Sequence, residues 1–132
     1  MAKLIHTMIR VYDLEKSIKF YGEAFGLDIS YRLDFPEFSL VYLRDKESGY
    51  ELELTFNRGR TAPYTHGDGY GHIAICVEDV TAEQKHLSAL GLTPGDIKEF
   101  HTSDGDLIAR YFFIQDPDGY KIEVLERHGH YQ

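Results

Sequence analysis

Little in this sequence could cross-link the chain, anchor it in a membrane or attach it to nucleic acid. Cysteine occurs once, at Cys76. An internal disulfide is therefore excluded, and a reducing compartment, the cytoplasm, is expected. The N-terminus lacks the basic stretch and apolar core of a secretory signal. No apolar run approaches the ~20 residues that a membrane helix needs. Cations are in short supply: 14 Lys and Arg face 22 Asp and Glu, for a formal net charge of -8. Phosphate binding needs a surplus of Lys and Arg on some face, so no nucleic-acid partner is expected. Any anionic ligand must be held by local cations. There is no low-complexity segment.

What is present fits a packed globular domain covering residues 1–132. Hydrophobic residues make up 42% and aromatic residues 14% of the chain, enough for a real core. The main feature is an internal repeat. HTMIRVYDLEKSIKFYGEAFGL from His6 aligns with HIAICVEDVTAEQKHLSALGL from His72. His6 meets His72, Val11 meets Val77, Asp13 meets Asp79 and Lys19 meets Lys85. Further on, Gly49–Leu54 parallels Gly119–Val124, and Val41–Asp45 parallels Phe112–Asp116. Agreement in the same order points to a duplication of about sixty residues, with modules at about 1–56 and 70–127.

Each copy reads as βαβββ, so the fold class is α+β. Strands are predicted over 3–12, 28–33, 38–44 and 50–56, then over 71–78, 96–101, 108–115 and 120–126. Asp13 can cap the first helix, along which Leu14, Ile18, Tyr21 and Phe25 form an apolar stripe ended by Gly26. The second helix is predicted from Val80 to Leu90. Asp116-Pro117-Asp118-Gly119 is a turn. A polar, Gly-rich linker covers about 57–69.

On this scaffold His6 and His72 occupy matching points of matching first strands, and Glu53 and Glu123 matching points of matching last strands. Strand side chains alternate, so Glu53 shares a face with Glu51 and Thr55, and Glu123 with Lys121 and Leu125. A carboxylate within an apolar strand is costly unless it is paired, hydrogen-bonded or metal-bound. Two imidazoles and two carboxylates related by a pseudo-twofold suit a divalent metal with open positions for water or substrate, not a thiolate-type zinc site. His66, His86, His101, His128 and His130 have no partner in the repeat and read as surface residues, and Cys76 as core packing. Pro117 and missing ligand positions argue against a calcium loop at 116–123. The Gly-rich run at 67–71 lacks the helix and lysine of a phosphate loop.

These segments, with ELTFN at 53–57, GYGHIAICVEDV at 69–80 and DPDGYKIEVLE at 116–126, resemble the glyoxalase I family of the vicinal-oxygen-chelate superfamily over residues 3–127. The resemblance implies paired βαβββ modules whose curved mixed sheets surround a metal. It also implies a homodimer with active sites at the interface, and His6, Glu53, His72 and Glu123 as metal ligands. The compact length is similar to that of bacterial members activated by Ni2+ or Co2+, with Zn2+ the alternative. The implied reaction converts the methylglyoxal–glutathione hemithioacetal to S-lactoylglutathione through an ene-diolate. Glu123 is the implied base and Glu53 its symmetry mate, while Arg10 and Asn57 match the family residues for the glutamyl carboxylate. Two departures stand out. The stretch Glu99–Asp106 is acidic where many members are rich in Lys and Gly, and Asp68 and Tyr70 stand where some have an Arg. The glycyl carboxylate is thus left without a matching cation. Two other readings are another metalloenzyme of the superfamily, such as an epimerase, thiol transferase or dioxygenase, and a non-enzymatic small-molecule-binding protein of this fold.

Overall fold

The computed structural model describes all 132 residues. They form two compact units, Met1–Thr65 and His66–Gln132, each an α+β module of one helix and one four-stranded mixed sheet. In the first unit the elements are β1 (His6–Val11), α1 (Leu14–Phe25), β2 (Asp28–Asp34), β3 (Phe38–Arg44) and β4 (Glu51–Asn57). The sheet order is β1-β4-β3-β2. Strand β1 runs parallel to β4, and the remaining pairs are antiparallel.

Asp13 caps α1 by accepting the Lys16 N–H at 3.1 Å. Gly26 ends the helix in the left-handed region, at φ 67°, a conformation open to glycine at no steric cost. The buried face of α1 is Leu14, Ser17, Phe20, Tyr21 and Ala24. It is turned slightly from the predicted stripe, leaving Ile18 and Phe25 half-buried. Small Ser17 and Ala24, each one position before the expected Ile18 and Phe25, make the contact instead. On one side of the sheet Ile9, Val11, Val41, Leu43, Leu52 and Leu54 are buried. Each such side chain contributes about 1.5–3 kcal/mol of burial. Strand β1 starts at His6, later than predicted, and Leu4 and Ile5 remain exposed.

The second unit repeats the plan with β5 (Ile73–Val77), α2 (Val80–Ala89), β6 (Lys98–His101), β7 (Leu107–Gln115) and β8 (Lys121–Glu126). Its sheet order is β5-β8-β7-β6, with β5 parallel to β8. Asp79 caps α2 by accepting from the Thr81 and Ala82 amides. Phe112, Ile114, Ile122 and Val124 are buried on one side of this sheet. The turn at 116–119 closes around Asp116, whose Oδ1 accepts the Asp118 and Tyr120 amides at 2.8 and 2.9 Å.

Candidate functional site

Strand pairing fixes which side chains share a face. Parallel pairing of β1 with β4 sets Met8 beside Glu53 and Arg10 beside Thr55. With Ile9 and Val11 buried on one side, His6, Met8 and Arg10 project from the other, in line with Glu51, Glu53, Thr55 and Asn57. There His6 Nε2 lies 3.2 Å from Glu53 Oε1. Glu53 as a residue is only 8% exposed, although Leu52 and Leu54 on either side of it in the strand face the opposite side of the sheet. The partners of the Glu53 carboxylate are the Thr55 hydroxyl, donating to Oε2 at 3.2 Å, and the hydroxyl of Tyr42, its cross-strand neighbour on β3. Burial, and then the bond to Glu53, push the Tyr42 phenol above its ordinary value, so it stays protonated and able to donate. Tyr42 also meets the His6 ring edge-on at 5.6 Å.

The second unit repeats this arrangement. His72 Nε2 lies 3.7 Å from Glu123 Oε1, and Phe113, the cross-strand neighbour of Glu123, meets the His72 ring edge-on at 5.5 Å. The positions matching Tyr42 and Thr55 are Phe113 and Leu125, neither of which can hydrogen-bond a carboxylate. Glu123 is also less enclosed: its side chain is 18% exposed, against 11% for Glu53.

The structure thus brings together His6 with Glu53 and His72 with Glu123. Arg10 is exposed on the His6 face, and Asn57 is held by Tyr64, whose Oη accepts from Nδ2 at 3.1 Å. Two expectations are corrected. Cys76 pairs with Leu125 on the Glu123 face and is half-buried, its thiol 3.6 Å from the Tyr131 carbonyl, so it is not core packing. His66 is not a surface residue. It stacks on Tyr120 at 4.1 Å and 6°, because the turn at Gly119 brings that ring beneath the chain. Sequence reasoning missed Tyr42, Tyr64 and the hydroxyl bond from Thr55. For Tyr42, the alternation of β3 opposite Glu53 was the available signal.

Both pairs offer one imidazole nitrogen and one carboxylate oxygen, the donor set of a divalent ion. Two atoms each about 2.1 Å from one ion stand about 3.0–3.4 Å apart at octahedral or tetrahedral angles. His6 and Glu53 meet that spacing as they stand, and His72 and Glu123 need to close by a few tenths of an ångström. Neither unit contains a group of three or more His, Cys, Asp or Glu side chains able to hold a metal, so neither pair by itself completes a metal site.

Residues 3–124 match the family described as the Glyoxalase/Bleomycin resistance protein/Dioxygenase superfamily. The chain is 42% identical to a lactoylglutathione lyase of Haemophilus influenzae over 94% of its own length and 92% of that protein's. It is 38% identical to the lactoylglutathione lyase of Neisseria meningitidis, covering 95% and 91%. Among solved structures it resembles the trypanothione-dependent glyoxalase I of Leishmania major, with a TM-score of 0.75 and 39% identity over 96% of this chain and 87% of that one.

Proposed function

The chain belongs to the Glyoxalase/Bleomycin resistance protein/Dioxygenase superfamily and, within it, to the lactoylglutathione lyases, and on that footing we propose that it converts the methylglyoxal–glutathione hemithioacetal to S-lactoylglutathione. The observation that carries this reading is a His–Glu pair at the same register on each of two sheets with the same strand order. His6, Glu53, His72 and Glu123 are the residues that would hold the metal, the pairs being contributed across a homodimer. A divalent ion there, Ni2+ or Co2+ in preference to Zn2+, supplies Lewis acidity to the carbonyl side of the substrate.

The chain's own residues do the rest. Glu123 removes the proton from the carbon that bears sulfur and hydroxyl. The resulting ene-diolate regains that proton at the adjacent carbon, so the reaction is an isomerisation with no atom gained or lost. A base needs hydrogen-bond reach and freedom to move between two carbons. The apolar flank of Phe113 and Leu125 leaves Glu123 that freedom, whereas hydroxyls hold Glu53. Glu53 serves the opposite side of the substrate. Arg10 and Asn57, on the Glu53 face, hold the glutamyl carboxylate, Arg10 as a charged donor.

The test is reconstitution. Protein stripped with chelator and reloaded with Ni2+, Co2+ or Zn2+ is given methylglyoxal with glutathione or with trypanothione, and thioester formation is followed. Turnover with glutathione supports the reading. Turnover only with trypanothione replaces the thiol, and no turnover with any ion overturns the reading.

A further inference from the structure

Within the second unit a cavity of about 860 Å3 opens beside His72, lined among others by Tyr70, Thr93, Gln115, Asp116 and Lys121. Lys121 is its one cationic wall. It lies two residues before Glu123 and therefore on the Glu123 face of β8. Gln115 is its direct cross-strand partner, so an amide and an ammonium stand side by side at the cavity wall. Both side chains are exposed, and neither is engaged by an acid of the chain. The acid in the wall, Asp116, is buried, and its Oδ1 is occupied by the Asp118 and Tyr120 amides. The Tyr70 hydroxyl donates to the Lys121 carbonyl at 3.1 Å and steadies the start of the strand.

The internal repeat provides an independent comparison. The pair matching Gln115 and Lys121 in the first unit is Arg44 and Glu51, also direct cross-strand partners. There the two side chains close on each other, Arg44 Nε lying 3.4 Å from Glu51, and Ser30 also donates to Glu51. In the second unit both charged positions change. The acid becomes a lysine and the arginine a neutral amide, and the site is left open. Most arginines of this acid-rich chain are committed to carboxylates: Arg32, Arg58, Arg110 and Arg127 all make such pairs. The lysines pair less often, only Lys19 and Lys46 meeting a carboxylate, and what sets Lys121 apart is its place in the cavity wall beside His72.

We infer that Gln115 and Lys121 form a carboxylate-binding subsite that takes the glycyl end of the thiol. This deepens the proposed function and rests on it. It also gives a partner to the carboxylate for which the family pattern leaves no cation at 68–70 or 99–106. A bound carboxylate accepts from the ammonium and the amide together. The thiol is thereby selected for a free acid at that end, against an amide or a polyamine conjugate.

The deciding experiment compares S-methylglutathione with its glycyl amide, titrated calorimetrically into Ni2+-loaded full-length protein, beside kinetics with the glutathione hemithioacetal. The wild type is expected to bind the acid about tenfold more tightly than the amide, as a charge-assisted contact at a partly open site implies. Lys121→Ala abolishes that preference, with the kinetic loss falling on KM rather than kcat, and Lys121→Glu reverses it. Equal binding of acid and amide by the wild type, a preference unchanged in Lys121→Ala, or no binding of either ligand overturns the inference. Binding that depends on Lys121 without thioester formation overturns the proposed reaction and leaves the subsite standing.

Discussion

The two halves of the molecule set the same His–Glu pair at the same register and then surround it differently. In the first unit Glu53 is buried, and its carboxylate is tied by two hydroxyls, those of Thr55 and Tyr42. In the second, Leu125 and Phe113 replace the hydroxyl side chains. Hydrogen bonds to a charged group contribute about 1.5–3 kcal/mol each, against nothing from an apolar neighbour. Duplication thus accounts for the matched His–Glu pairs, and divergence at two neighbouring positions leaves one carboxylate hydrogen-bonded and the other flanked by apolar side chains. On the proposed reading, that difference is the reason for assigning the base to Glu123 rather than to Glu53.

The strongest way to break that comparison is to neutralise each carboxylate in turn. Glu123→Gln is expected to lower kcat by about a thousandfold, within the range for loss of a general base. Glu53→Gln should cost less in kcat and more in metal retention, read as the chelator concentration that strips half the ion. If Glu53→Gln costs as much kcat as Glu123→Gln, the division of labour between the halves is wrong.

Those aspects of the fold and site that depend on periodicity were legible in the residues. The repeat from His6 and from His72 located both modules, and alternation put Glu53 and Thr55 on one face before any pairing was known. What depends on register was not legible. That Tyr42 faces Glu53, and that Gln115 faces Lys121, follow only once β3 is aligned with β4 and β7 with β8. Cys76 misled because an apolar strand with one face toward a site resembles one buried on both faces. His66 misled because its stacking partner Tyr120 is distant in sequence and brought near by the turn at Gly119.

A gentler perturbation sharpens the same comparison by making the second half resemble the first. Phe113→Tyr places a hydroxyl at the position matching Tyr42, beside a ring site that is only half-buried. If freedom of Glu123 matters, the added bond should lower kcat about ten- to a hundredfold, as one hydrogen bond to a carboxylate can. KM should change little. The reverse change, Tyr42→Phe, should loosen Glu53 and weaken metal retention with a smaller effect on kcat. An unchanged kcat in Phe113→Tyr would show that tethering is irrelevant to the base.

The smallest expected effect separates the halves by acid sensitivity. On the sheet side opposite Glu53, Asp34 joins β2 to β3 through the Ser39 hydroxyl and joins Arg32 and Arg58. The Ser39 bond first, then the Arg32 bond, hold the Asp34 carboxyl below its ordinary range. A depressed carboxylate favours folding above its unfolded value, about 3.9, and that contribution disappears as pH falls through the lower folded value. The matching edge of the second unit is joined by Arg110 to Glu99 and Glu126. Asp34→Asn should therefore lower the urea midpoint modestly at pH 7, because the group is solvent-screened. The deficit should shrink as unfolding is repeated below the carboxylate range. Arg110→Gln serves as the comparison from the other edge. A deficit in Asp34→Asn that is equal at both pH values would mean that the aspartate acts through packing rather than charge.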